Sequence, residues 1–142
     1  MKPYIRKINY HETDKMNVTH HSNYIKYMEE ARIDYLEQYG LGYEKLEQDG
    51  VISFVVSVNV SYKKPSTFGD TLKIFVKSKI YNGVRYEIEY KMINAKTDEL
   101  VCEAVSTHCF ADVFGKICSL KKTYPEYHQL FEKILQDDNK GE

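Results

Sequence analysis

The spacing of apolar side chains changes three times along the chain. Residues 4–12 alternate weakly and predict a first strand, whereas residues 13–21 follow neither period and predict a loop. Tyr24, Tyr27, Met28, Ala31, Tyr35, Leu36 and Tyr39 then fall at offsets of three and four, the stripe of one long α-helix. Ser22 is its expected N-cap, and Gly40 and Gly42 are expected to end it. A short second helix is expected over residues 43–48. From Val51 the period becomes two. Ile52, Phe54, Val56, Val58, Val60 and Tyr62 share one face of a strand, with Val55 out of step. Leu72, Ile74, Val76 and Ile80 mark the next strand. Val84, Tyr86, Ile88, Tyr90 and Met92 mark another, and Leu100, Cys102, Ala104, Ser106, His108 and Phe110 a fourth register. Strands with one apolar face and one wetter face favour an antiparallel sheet. The connections are turn-rich and short, as at Asn82-Gly83. Residues 124–136 predict a terminal helix.

A lone long helix must bury its stripe on the sheet, so the fold class is α+β. The outward side of residues 51–62 carries Ser53, Ser57, Asn59 and Ser61, whereas the next two strands carry lysine, arginine and glutamate there. Small uncharged side chains predict a covered surface, hence self-association around this strand.

The length of 142 residues fits one domain, residues 1–142, with a core over about 4–120. Twenty basic residues face 21 acidic ones, a net charge of -1, which argues against nucleic acid as a partner. No apolar run exceeds three residues, so no membrane span is expected. Residues 1–6 lack the apolar stretch of a secretory signal. Cys102, Cys109 and Cys118 form no Cys-x-x-Cys pair, which predicts free thiols in a reducing cytoplasm. Seven scattered glycines leave no phosphate loop.

The candidate chemistry lies in residues 10–24, between the first strand and the long helix. A helix N-terminus offers free N–H groups and the positive end of a dipole, both suited to an oxyanion developing on a carbonyl. Asp14 precedes His21 by seven residues, across a loop that could fold back. A carboxylate there could attack a polarised carbonyl or activate water against it. His11, Asp14, His20 and His21 do not have a recognised zinc spacing, so no metal is expected. His108 sits among small and apolar positions and is expected to be a satisfied sheet residue.

Tyr10-x-x-Thr13-Asp14, six further residues, His21-Ser22-Asn23-Tyr24 and then Met28-Glu29-Glu30-Ala31-Arg32 resemble the hotdog-fold acyl-CoA thioesterases. The similarity is to the branch of 4-hydroxybenzoyl-CoA thioesterase and the Tol-Pal-associated (YbgC-like) enzymes, and it covers roughly residues 4–120. It implies a five-stranded antiparallel sheet wrapped around one long helix. It implies hydrolysis of an acyl-CoA to a carboxylic acid and free CoA, with no cofactor beyond the CoA thioester itself. By that resemblance Asp14 is the catalytic nucleophile or general base, and the His21 N–H polarises the thioester carbonyl. Tyr10, Asn23 and Tyr24 shape the substrate site. Lys63 and Arg85, with Lys64, Lys121 and Lys122, are candidates for the phosphates of CoA. The resemblance also implies a homodimer or homotetramer, with the edge strand at residues 51–62 and sites between chains. Many members carry glycine where this chain has Asn17, the non-glycine residue that best tolerates positive φ. Acyl-acyl-carrier-protein hydrolysis and a non-catalytic acyl-CoA-binding module are the alternatives.

Overall fold

The computed structural model describes residues 2–140. The strands are β1 (Tyr4–Lys7), β2 (Ile52–Tyr62), β3 (Thr71–Tyr81), β4 (Arg85–Asn94) and β5 (Leu100–Ala111). They form one antiparallel sheet in the order β1-β3-β4-β5-β2, so β1 and β2 are its edges. The helices are α1 (Ser22–Gln38), α2 (Tyr43–Gln48), α3 (Leu120–Thr123) and α4 (Pro125–Asp138). The class is α+β, as the alternating strands and single long apolar stripe predict.

The stripe of α1 is buried on the sheet: Tyr24, Tyr27, Met28, Ala31, Tyr35 and Leu36 are all core residues, facing Leu72, Ile74, Ile88, Tyr90 and Met92. Two strands, β3 and β4, supply these inward side chains at alternate positions, which is why their sequences alternate. α4 closes one end, with Phe131 packed between Tyr81, Tyr86 and Phe110.

Three local expectations need correction. The first strand ends at Lys7, and Tyr10–Glu12 wind into a 3-10 turn instead of continuing it. The cause is Glu12, whose carboxylate accepts the Asn9 N–H at 2.8 Å and both terminal nitrogens of Arg6 at 3.0 and 2.7 Å. Ser22 is the first residue of α1 and not its N-cap. His21 already has helical φ and ψ of -55° and -31°, and the His20 ring accepts the Ser22 N–H at 3.3 Å.

The third correction is the phase of β2. Val55 pairs with His108 but Ser57 with Thr107, so Val56 is an extra residue, a β-bulge. One inserted residue reverses the alternation. Ser53, opposite Phe110, and Val55 therefore share the inner face with Val58, Val60 and Tyr62, while Phe54 turns outward opposite Cys109. The step that made Val55 look exceptional is this bulge. In the single chain β2 is little covered: Val55, Val56 and Val58 are 52%, 61% and 38% exposed.

No helix among the described residues is long and apolar enough to cross a membrane.

Candidate active site

Residues 13–19 form a miniature hairpin. Thr13 bridges Thr19, the Asp14 N–H donates to the Val18 carbonyl at 2.9 Å, and the Asn17 N–H donates to the Asp14 carbonyl at 3.0 Å. Closing so tight a loop requires one left-handed residue, and Asn17 takes that conformation with φ of 64°. Asparagine thus holds the backbone that glycine would otherwise be needed for. One Asp14 carboxylate oxygen accepts the Met16 N–H at 2.8 Å, which fixes the side chain; among the described residues the other oxygen has no partner.

Several hydrogen bonds tie the hairpin and the residues that follow it to the body of the protein. The Thr19 N–H donates to the Ser66 carbonyl at 2.8 Å, and the two hydroxyls meet at 2.7 Å. The His20 N–H donates to the Glu12 carbonyl at 2.9 Å. Asn23 Nδ2 donates to that same carbonyl, also at 2.9 Å. Behind Glu12, Arg6 also bonds Glu30 on α1 at 2.8 Å and stacks 4.7 Å above the Tyr27 ring. Burial alone would raise the Glu12 pKa; the Asn9 N–H and the Arg6 guanidinium outweigh it and hold the carboxyl below its ordinary range.

The start of α1 distributes its N–H groups unequally. Ser22 donates to His20 Nδ1, Asn23 to the His20 carbonyl and Tyr24 to the His21 carbonyl. Among the described residues nothing accepts from the His21 N–H. That leaves one free donor at the positive end of a 17-residue helix.

Asp14 stands between two depressions. One is lined by Asp14, His21, Tyr24, Tyr62 and Lys63, with Thr19 and Pro65. The other is lined by Asp14, Tyr10, Asn17, His20 and Asn23. The fold thus brings Asp14, His21, Tyr24 and Lys63 together in one cleft and places Tyr10 and Asn23 beside the same aspartate. Tyr10 is 75% exposed and meets Phe68 edge-on at 5.7 Å. Tyr24 is buried, with its hydroxyl 2.7 Å from that of Ser66. Burial pushes its pKa upward, so it stays a neutral wall. Asn23 is buried and acts on the loop through Glu12.

Arg85 is not part of this assembly. It opens β4 opposite Cys109, which pairs with Phe54, whereas Tyr62 at the cleft pairs with Cys102 at the far end of β5. Within one protomer Arg85 therefore lies at the opposite end of the sheet from Asp14.

Sequence reasoning missed Tyr62 and Ser66. Tyr62 donates its hydroxyl to the His21 carbonyl at 3.3 Å, joining the end of the edge strand to the helix start. Ser66 links Thr19 and Tyr24. Both lie more than 40 positions from their partners, and nothing local marks them. His108 is the satisfied sheet residue expected: buried, with Nε2 2.7 Å from the Ser106 hydroxyl. Among the described residues no group of three or more His, Cys, Asp or Glu is placed to hold a metal ion.

The arrangement offers a fixed carboxylate and a free helix N–H in one cleft, a combination suited to attack on a carbonyl. Residues 8–126 match the model of the thioesterase-like superfamily. The chain is 34% identical over 128 residues to a Bacillus subtilis protein named "Putative acyl-CoA thioesterase YneP", covering 89% of this chain and 92% of that one. It superposes on the DHNA-CoA thioesterase from Staphylococcus aureus with a TM-score of 0.92 and 30% identity, over 99% of this chain and 95% of that one. Against the hypothetical protein TT1821 from Thermus thermophilus the TM-score is 0.85, with 27% identity over 94% and 99% of the two chains.

Proposed function

This chain belongs to the thioesterase-like superfamily and is a hotdog-fold thioester hydrolase of the acyl-CoA class, and we propose that Asp14 and the His21 N–H are the centre of its chemistry. The observation that carries this reading is the lining of one cleft by both residues, with the His21 N–H free and the Asp14 carboxylate held by the Met16 N–H.

The thioester carbonyl oxygen accepts the His21 N–H, and the helix dipole lowers the energy of negative charge there. The Asp14 carboxylate adds to the carbonyl carbon, or takes a proton from a water that adds. Collapse of the tetrahedral intermediate expels the CoA thiolate, which is protonated to the thiol. If Asp14 is the nucleophile, the resulting anhydride is opened by a water; if it is the base, the acid forms directly. Carboxylate and amide suffice, so the step calls for no metal or redox cofactor. Tyr24 and Tyr62 form the wall nearest His21, and Lys63 at the rim is placed for a phosphate of CoA.

The working unit is a homodimer or a larger homo-oligomer formed through β2. Its exposed Val55, Val56 and Val58 lie on an open sheet edge, which natural proteins pair or cover. Antiparallel pairing of two β2 strands about their middle brings the partner's Phe54 end, and with it the partner's Arg85, toward the Tyr62 end of this chain. That gives Arg85 a place in a site it does not reach within its own protomer.

The acyl group is best sought among aromatic and aliphatic CoA esters together, since the two tyrosines of the cleft wall, Tyr24 and Tyr62, suit either. A thiol-release screen over acyl-CoAs of increasing length and over aromatic ones, 1,4-dihydroxy-2-naphthoyl-CoA included, tests the reading. Turnover of at least one CoA ester, faster than its acyl-carrier-protein counterpart, is expected. Acyl-CoA binding with no thiol released from any ester would contradict it.

A further inference from the structure

Arg32 is 6% exposed and is the only lysine or arginine buried among the described residues. Its Nε donates to the Tyr43 hydroxyl at 2.7 Å and its Nη1 to the Tyr90 hydroxyl at 3.1 Å. These are its hydrogen bonds among the described residues, and no carboxylate pairs with it. Tyr90 passes the polar chain to Ser106 at 2.6 Å and Ser106 to His108 at 2.7 Å, all neutral groups. A guanidinium never deprotonates in a protein, and a buried cation without a counter-ion is costly. The Nη2 donors remain unused.

Arg32 borders a cavity of about 30 Å³ between α1, α2, the start of β2 and α4, lined also by Tyr43, Ser53 and Tyr86 with apolar walls that include Leu46 and Phe131. On this measure a water needs about 10–15 Å³, so the space fits a halide or one carboxylate head and not an acyl chain. Tyr43 accepts the Arg32 Nε–H and so keeps its own proton free to donate. Ser53 is at the cavity only because the Val56 bulge turns it inward. Glu47 sits at the rim, exposed, and makes no ion pair with Arg32. Arg32 is 11 residues beyond His21, roughly 16 Å along α1, so within one protomer the cavity is separate from the Asp14 cleft.

We propose that this cavity is an anion site, in which the Arg32 fork, the Tyr43 hydroxyl and the Ser53 hydroxyl hold a halide-sized or carboxylate-sized monoanion. Two sources share that chemistry: a free inorganic anion, or a carboxylate carried at the far end of an acyl group.

The test begins with wild-type protein crystallised in sodium bromide, where an anomalous peak is expected within about 3.5 Å of an Arg32 Nη atom, the reach of such a hydrogen bond. In solution the melting temperature should rise saturably with chloride at constant ionic strength. Arg32→Lys, which keeps charge but loses the fork, should weaken that response at least tenfold, and Glu47→Gln should strengthen it. The Arg32 variant's fold does not decide the matter, because the bromide measurement uses the unaltered chain. Chloride that raises KM for a dicarboxylic acyl-CoA but not for a monocarboxylic one assigns the site to the acyl carboxylate. A melting shift with neither KM changed assigns it to the free anion. No bromide in the cavity together with no saturable chloride response overturns the proposal, whatever the thioesterase assays show.

Discussion

The Thr67 hydroxyl donates to the carbonyl of Asn17, 50 residues earlier in the chain, at 2.5 Å. It clamps the one left-handed residue of the Asp14 hairpin, φ 64°, from outside the hairpin. Asn17→Gly should be nearly neutral in stability, whereas Asn17→Ala should cost about 1–2 kcal/mol, the penalty for placing a Cβ in that conformation without the asparagine side chain's local hydrogen bonding. Urea denaturation checks both. Because Asp14 opens the same turn, the alanine variant should also lose turnover.

The Arg6–Glu12 pair is the anchor behind the loop. Glu12→Gln leaves the half-buried Arg6 guanidinium with Glu30 alone and should lower stability by about 2 kcal/mol, below the range for breaking a fully buried pair. The matching control, Lys64→Gln, removes an exposed pair with Glu99 at 3.8 Å and should change stability by less than about 1 kcal/mol.

His108 gives the fold a pH dependence. Burial first, and then Arg32, pushes its pKa down to about 4. Between that value and its ordinary 6.5 the unfolded chain binds a proton that the folded chain does not, so stability rises with pH across the window. The contribution is full above about pH 6.5 and falls by about 3 kcal/mol as pH drops to about 4. Urea midpoints between about pH 5 and 7 should show the slope, above the range in which Glu12 acts. His108→Gln should flatten it.

Val56→Lys probes the edge strand. On a free surface a substitution at a residue 61% exposed changes stability by about 0.5 kcal/mol or less. If β2 pairs with its counterpart, the variant instead dissociates and loses activity together. Light scattering coupled to gel filtration, with turnover measured on the same fractions, separates the two outcomes.

The parts of this structure legible in the sequence were those decided locally. The α1 stripe from Tyr24 to Leu36 is set by a helical period, and the left-handed Asn17 by residue type. The length of β1 was not legible there, because a capping contact between Asn9 and Glu12 overrides a weak alternation. Nor was the phase of β2, because a bulge is fixed by pairing with β5 and the residues around Val56 are apolar in either phase. Asp14, His21 and Tyr24 line one cleft, as the motif that holds them suggests, and Lys63 joins them from the end of β2. Tyr62 and Ser66 join them from loops and strands far along the chain, where no periodicity points to a partner. Arg85 is at the sheet's other end because it pairs with Cys109, and alternation tells which face a residue takes and not which end of the sheet.

The central claim is that the Asp14 carboxylate performs the chemistry, and Asp14→Asn tests it most directly. The amide oxygen can still accept the Met16 N–H, so the hairpin and the melting temperature should be preserved. Thiol release from the best acyl-CoA, measured on purified variant of confirmed native fold, should fall by about 10²–10⁴-fold or more, the range for losing a general base or nucleophile. A natively folded Asp14→Asn that hydrolyses the same ester at the wild-type rate would contradict the account.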